Sequence, residues 1–341
     1  RLYFGSQRVW RSDNRGDSWT PISGDLTKDE GRINLPIMGR KQSWDNAWDL
    51  FAMSEYNTIT SLGESPLVEG LIYAGTDDGI IQITEDGGEN WRRVDVGNIK
   101  GIPETAFIND IYADLHDPNT VYVALDNHKY GDFKPYLIKS TNRGKKWSSI
   151  TGNLPDKHLT WRIIQDHINP ALLFAATEFG IFFTVDGGEE WVELDGGAPT
   201  ISFRDIVMQR EHDDLVGASF GRGFFVLDDI SPLRKVNTQT LNQEAALLSA
   251  RDAFWYLERS VEIAPGASYY TADNPDFGAM FTYYLKDGMQ SKKAARIKAE
   301  KAVNENDDIP FPGWDAIEEE MREEAPSIRL TIKDSNGIVV Q

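Results

Sequence analysis

The stretch Thr84-Glu85-Asp86-Gly87-Gly88-Glu89-Asn90-Trp91 decides how this 341-residue chain is read. It recurs as Ser12-Asp13-Asn14-Arg15-Gly16-Asp17-Ser18-Trp19, as Ser140 to Trp147 with Asn142 and Gly144, and as Thr184 to Trp191 with Asp186 and Gly188. The shared pattern is Ser/Thr-x-Asp/Asn-x-Gly-x-x-Trp. The hydroxyl and the carboxylate or amide two residues on can both accept backbone N–H bonds inside a tight hairpin turn, and the glycine supplies positive φ. The Trp then packs between neighbouring sheets. Four matches to an eight-residue pattern define an internal repeat, whereas one would carry little weight.

Two apolar β-runs precede each turn, as in Ile72-Tyr73-Ala74-Gly75-Thr76 and Ile80-Ile81-Gln82-Ile83, or Leu173 to Thr177 and Ile181 to Phe183. A further run lies upstream: Ile108 to Ala113, Trp161 to Gln165 and Phe203 to Met208 in the later units. Each unit therefore reads as strands A, B and C, the turn, and a strand D opening at the Trp, which is one four-stranded β-propeller blade. Spacings of 72, 56 and 44 residues between the repeat tryptophans describe a constant blade with variable loops, the longest insertion running from Gly24 to Tyr56. The first unit lacks strand A, and a closing unit over 202–235 keeps A to C and has lost the turn. The expectation is four complete blades and most of a fifth within 1–235, completed by blades from other sequence or another chain, because open sheet edges need covering.

Ten Trp, twelve Tyr and sixteen Phe beside 29 Gly fit short aromatic strands and tight turns, and place the chain in the all-β class. Asp and Glu outnumber Lys and Arg by 54 to 35, a formal charge of −19, which argues against nucleic acid or an anionic membrane as main partner. The absence of Cys excludes disulfides, thiolate metal sites and a cysteine nucleophile. No apolar run approaches the about 20 residues of a membrane-spanning helix. Leu2-Tyr3-Phe4-Gly5 opens the chain as a strand with no signal peptide before it, so the natural N-terminus is expected to lie upstream.

Beyond Pro232 the pattern changes. Phe254-Trp255-Tyr256, Ser268-Tyr269-Tyr270 and Ala279 to Leu285 read as strands of a second domain over 236–341. Residues 291–304 carry Lys292, Lys293, Arg296, Lys298 and Lys301 in a helical context, and Trp314, Ile317 and Met321 share one face of an acidic helix. The opposite charges suggest a helical hairpin inserted at about 291–325. Ile328 to Lys333 and Ile338 to Val340 flank a turn at Asn336-Gly337.

With these repeats in place, the chain resembles the bacterial sortilin-like, Asp-box (BNR) repeat proteins often labelled glycosyl hydrolases. The similarity rests on Glu64 to Gly79, on Ala176-Thr177-Glu178-Phe179-Gly180 and on Gly221 to Asp229. It implies that the residues from about 250 onward begin an immunoglobulin-like sandwich containing the helical pair. It further implies a large envelope protein, so localisation is expected to be extracellular, periplasmic or at the cell surface. A reaction does not follow from the label, because one fold hosts many functions.

Blade geometry places the B–C turns and the starts of the A strands on the face opposite the repeat turns. Asp77, Asp78 and Glu178 fall there, either as a glycosidase carboxylate pair, which needs about 5–10 Å of separation, or as turn formers. Arg162, Arg204 and Arg222 read as an anion-binding cluster or as partners of Asp205, Asp228 and Asp229. His128 and Tyr130 sit in a loop from Asp126 to Pro135. Trp44, Trp48, Phe51 and Tyr56 crowd the long insertion, where they can stack on a ligand or form a local core. The five histidines show no metal-ligand spacing, and no phosphate loop or nucleophile elbow is present, so neither metal nor cofactor is expected. The expected function is recognition of a peptide, protein or glycan, with a glycoside hydrolase acting on a polysaccharide as the alternative.

Overall fold

A computed structural model describes residues 1–36, 40–46, 56–253, 255–257, 277–304, 307–325 and 327–340. Five antiparallel sheets follow one another along the chain. Sheet 1 holds β1 (Leu2–Gly5), β2 (Val9–Ser12) and β3 (Thr20–Pro21), and sheet 2 holds β4 (Ile59–Glu64), β5 (Ile72–Thr76), β6 (Ile80–Thr84) and β7 (Arg92–Asp95). Sheet 3 holds β8 (Phe107–Ala113), β9 (Val121–Asn127), β10 (Asp132–Ser140) and β11 (Ser148–Ser149), and sheet 4 holds β12 (Thr160–Gln165), β13 (Leu173–Thr177), β14 (Gly180–Thr184) and β15 (Val192–Glu193). Sheet 5 holds β16 (Phe203–Gln209), β17 (Asp214–Ser219) and β18 (Gly223–Leu227). Strand order within each sheet is sequential, and the strands nearest the axis touch in succession, β4 against β8, β8 and β9 against β12, and β12 against β16. This is the arrangement of consecutive blades in a partial β-propeller.

Among the described residues, complete four-stranded sheets number three, against the four expected. The last sheet lacks its fourth strand because no repeat turn follows β18; the chain instead enters a 3-10 turn, Ser231–Lys235.

The core lies in the seams between sheets. Consecutive residues of one strand serve opposite seams: Tyr73 packs with Ile108, Ile111 and Val123 toward sheet 3, and Ala74 with Val9 and Ile59 toward sheet 1. Likewise Val123 faces sheet 2, whereas Tyr122 and Ala124 pack with Ile163, Leu173 and Phe182 of sheet 4. Both faces of a strand are thus buried. That is why β5, β6, β9 and β13 are buried at every residue and read as continuous apolar runs rather than alternating ones.

The repeat turns have a common interior. Thr84 Oγ1 donates to Asp86 Oδ1 at 2.8 Å and accepts from Gly88 N–H at 2.9 Å, while Asn90 N–H donates to Asp86 Oδ1 at 2.9 Å. Ser12, Asn14 and Gly16, Ser140, Asn142 and Gly144, and Thr184, Asp186 and Gly188 repeat the scheme. The tryptophan then crosses the seam to the preceding sheet. Trp91 Nε1 donates to the Ile22 carbonyl at 3.1 Å and Trp191 Nε1 to the Ile150 carbonyl at 2.9 Å. Each acceptor stands three residues after the preceding repeat tryptophan. The same isoleucine presses on the turn glycine: a Cβ on Gly88 would lie 2.5 Å from Ile22 O, and one on Gly188 would lie 2.7 Å from Ile150 Cβ. At the intervening seam Arg92 donates instead to the Arg143 and Gly144 carbonyls, and Trp147 Nε1 is buried with no hydrogen-bond partner among the described residues.

The chain divides into two compact units, Arg1–Thr240 with Leu248–Thr282, and Leu241–Leu247 with Tyr283–Gln341. The second contains a two-stranded sheet, β19 (Ala245–Leu247) with β20 (Tyr283–Leu285), and helices Lys292–Lys301 and Trp314–Arg322. Arg296 meets Glu320 at 2.7 Å and Lys292 meets Glu319 at 2.7 Å between the helices. Of the strands expected in this region, Ala279 to Leu285 reduces to β20, and around the Asn336-Gly337 turn Lys333 bridges Val339, with the Asp334 and Val340 N–H groups donating to the Ile338 and Ile332 carbonyls. Ser268-Tyr269-Tyr270 and Phe254 lie outside the described residues.

Candidate functional site

The first strand of each of sheets 2 to 5 carries an irregularity at the same place. Its pairing with the second strand slips by one residue between Ile59 and Ser61, Ile108 and Asp110, Thr160 and Arg162, and Phe203 and Asp205. The extra residues, Thr60, Asn109, Trp161 and Arg204, are therefore equivalent, and they stand at the strand ends opposite the repeat turns. A bulge releases one residue from the ladder and re-aims its side chain. Asn109, Trp161 and Arg204 line one cleft of about 320 Å³ with Phe107, Asp126, His128, Lys129 and Arg162.

The side chains of Asn109, Asp126, His128, Arg162 and Arg204 in this cleft are each held by a neighbour. The buried Asp126 carboxylate accepts Asn109 Nδ2–H at 2.8 Å and the His128 backbone N–H at 3.1 Å, with His128 Nδ1 at 2.5 Å. That contact orients the imidazole, with Nδ1 donating to the carboxylate. Trp161 Nε1 and Ser202 Oγ both donate to Glu178 Oε2 at 3.0 Å. The Arg204 guanidinium lies 3.6 Å above the Trp161 ring and 5.6 Å from the Phe220 ring, in cation–π geometry, with Nη2 4.0 Å from Glu178 Oε2. Arg162 spans Asp110 at 2.9 Å and Asp205 at 3.1 Å. The cleft therefore offers aromatic faces, an oriented imidazole and fixed cationic groups.

The residues named from sequence distribute as follows. His128, Arg162 and Arg204 share the cleft, and Glu178 supports its Trp161 wall. Arg222 stands exposed in the turn after Phe220, with no hydrogen bond or ion pair among the described residues, so the three arginines do not form one cluster. Tyr130 closes a short 3-10 turn, His128–Tyr130, between β9 and β10; the expected loop from Asp126 to Pro135 is mostly strand, because its residues extend the hairpin. Asp77 and Asp78 are buried in the sheet 2 turn. Asp78 accepts the Lys28 N–H at 2.7 Å and the Thr76 hydroxyl, and Asp77 Oδ1 accepts the Thr58 N–H at 2.8 Å. Trp44 is exposed, and Trp48 and Phe51 lie outside the described residues. Tyr56 is half-buried beside Asn57, which ties its segment to Glu30.

Burial pushes the Asp77 carboxyl up to about 6, with the Thr58 N–H opposing and the charge of Asp78 assisting. Burial, with nearby Tyr130, Asp78 and Asp77, also raises the Tyr56 hydroxyl. Among the described residues no three His, Asp or Glu side chains gather in a way that could hold a metal ion, and no helix is long and apolar enough to cross a membrane.

Asp110, Phe107, Lys129 and Ser202 were not singled out by sequence. A signal for the bulges was present: Thr60-Ser61, Asn109-Asp110 and Arg204-Asp205 place two polar residues side by side in a strand where alternation allows one.

No protein-family model matches the chain, and no curated protein matches it. Among solved structures it is similar to an ancestral GH74 enzyme, at 18% identity over 63% of this chain and 25% of that one, TM-score 0.45. It is also similar to YCF48 bound to D1 peptide, at 16% over 51% and 52%, TM-score 0.38. A third similarity is to the β-propeller domain of Cps50 (Swd1) from Myceliophteria thermophila, at 17% over 57% and 61%, TM-score 0.39. The chain thus spans 25% to 61% of the length of these three proteins.

Proposed function

We propose that this chain is part of a secreted or cell-surface propeller of the sortilin-like, Asp-box kind. In this reading 1–235 are its C-terminal blades, and 236–341 are a linker and the start of an immunoglobulin-like sandwich carrying the helical pair. Its task is recognition of a peptide, protein or glycan on the face opposite the repeat turns. One observation carries the reading: the bulge residues Asn109, Trp161 and Arg204 turn toward a single cleft, while Glu178, Asp78 and Asp126 are engaged by hydrogen bonds from Trp161 and Ser202, from Lys28 and Thr76, and from Asn109 and His128. Carboxylates so occupied hold a binding wall in place; they are poorly set to trade protons with a substrate. Screening of peptide and glycan arrays tests it. Arg204→Ala is expected to weaken the captured ligand by about tenfold, the worth of one desolvated stacking contact, whereas Asn90→Ala on the opposite face leaves affinity unchanged. Equal affinities in both variants would exclude this cleft.

The hydrolase alternative has one observation in its favour. Asp77, raised to about 6, is a carboxyl of the kind that serves as general acid. It predicts release of reducing ends from a polysaccharide, abolished in Asp77→Asn.

A further inference from the structure

The two large rings of the cleft wall are covered by the cleft's own cations. The Arg204 guanidinium lies 3.6 Å above Trp161, which is 6% exposed, and Lys129 Nζ stands 4.7 Å from the centre of the Phe107 ring. A sugar docks by laying its C–H face on an open aromatic ring, and neither of these is open. The carboxylates are turned inward. Asp126 is taken by Asn109 and His128, Glu178 by Trp161 and Ser202, and Asp110 by Arg162 and the Ile163 N–H. Arg162 spends its guanidinium on Asp110 and Asp205. Arg204, by contrast, makes no hydrogen bond among the described residues, the nearest carboxylate oxygen being Glu178 Oε2 at 4.0 Å, and the exposed Lys129 makes no ion pair among them. Asn109 uses both Nδ2 hydrogens, on Asp126 at 2.8 Å and on the Thr160 carbonyl at 2.7 Å, so what it can offer a ligand is the acceptor Oδ1.

We infer, on the reading of the cleft as a recognition site, that its ligand is a protein segment held through one acidic side chain. The carboxylate is met by Arg204 and Lys129, and a backbone N–H of the same segment donates to Asn109 Oδ1. A guanidinium laid flat on an indole sends its N–H groups outward in its own plane, the geometry that a carboxylate accepts in bidentate fashion. Stacking also fixes the side chain in advance, so little freedom is lost on binding. A single acid is specified, not an acidic run. The cleft of about 320 Å³ has room for little more than one such group, Asp205 stands 58% exposed beside it, and the chain as a whole carries −19, which repels further negative charge.

Arrays of short peptides with acetylated and amidated ends test it, each neutral context being made with a central Gln, a central Glu or a pair of Glu residues, and printed beside neutral and uronate oligosaccharides. Peptides with one Glu are expected to be captured about tenfold more tightly than their Gln counterparts, the worth of a hydrogen-bonded charge, with no further gain from the second Glu. Arg204→Gln and Lys129→Met should each shrink that difference, and Arg204→Lys should keep part of it. Lys129 is exposed, so its replacement leaves the fold as it is. Equal capture of Glu and Gln peptides, still weakened by Arg204→Gln, would overturn the acidic anchor and leave recognition at the cleft standing. So would capture of uronates in place of peptides, or capture that climbs with each added Glu in parent and variants alike, which is diffuse charge attraction. Glu-dependent capture that ignores both Arg204→Gln and Lys129→Met would remove the ligand from the cleft altogether, and capture of no peptide and no glycan would sink the recognition reading and the acidic anchor together.

Discussion

The repeat glycines show what one residue contributes. Gly188 sits at φ +107° with Ile150 against it, and Gly16 at φ +102° with open space around it. Alanine at Gly16 meets only the backbone penalty, about 1–2 kcal/mol. Alanine at Gly188 adds overpacking of about 1–3 kcal/mol. Urea unfolding is therefore expected to rank Gly188→Ala well below Gly16→Ala, and equal losses would contradict the close approach at the seam. The positive φ was legible from the pattern Ser/Thr-x-Asp/Asn-x-Gly. The Ile150 contact was not, because it joins residues 38 apart through the packing of two sheets. Trp91 and Trp191 follow the same rule: that they pack between sheets could be read, but not that their N–H groups donate to Ile22 and Ile150.

At the scale of elements, the strands of sheet 4 lie where their apolar runs and turns place them, and the short fourth strands begin beside each tryptophan. The closing segment had no such signal. Ser231–Lys235 is held by Arg234, whose guanidinium reaches Asp166 at 2.8 Å and Asp213 at 2.6 Å and so joins the A–B turns of sheets 4 and 5. Burial acts to raise the Asp166 carboxyl, but the hydrogen bonds of Arg234 and of the Asn169 and Ile168 N–H groups outweigh it and hold it below its ordinary value. Removing one member of a buried pair leaves the other charge desolvated, which costs about 3–5 kcal/mol. Arg234→Met is expected to lose an amount of that order in chemical denaturation. A loss under about 1 kcal/mol would place the pair with exposed ion pairs instead. The bulges belong to this scale too. Their doubled polar residues were visible, but which of each pair leaves the ladder depends on the register against β5, β9, β13 and β17.

For the whole molecule, acidity and burial set opposite pH trends. Asp86 is exposed and pushed down to about 2, chiefly by the Asn90 N–H, so its contribution is present above its unfolded value near 3.8 and fades as pH falls toward 2. Asp77 acts in reverse: its folded value near 6 exceeds its unfolded value near 3.8, so the stability it lends is complete below pH 3.8 and is lost as pH rises to 6. The difference corresponds to about 3 kcal/mol at most. Asp77→Asn keeps the acceptor for Thr58, so thermal unfolding of this variant is expected to fall less between pH 4 and 6 and to exceed the parent at pH 7. Parallel pH curves for the two proteins would refute the burial argument. The sequence by itself determined the repeat, the hairpins and the all-β class, because turn chemistry and strand periodicity act within a few residues of each other. Only the tertiary structure decided that Asn109, Trp161 and Arg204 share a cleft and that Asp77 is raised while Asp86 is lowered. Those outcomes depend on strand register, desolvation and sheet-on-sheet packing, which join residues tens of positions apart.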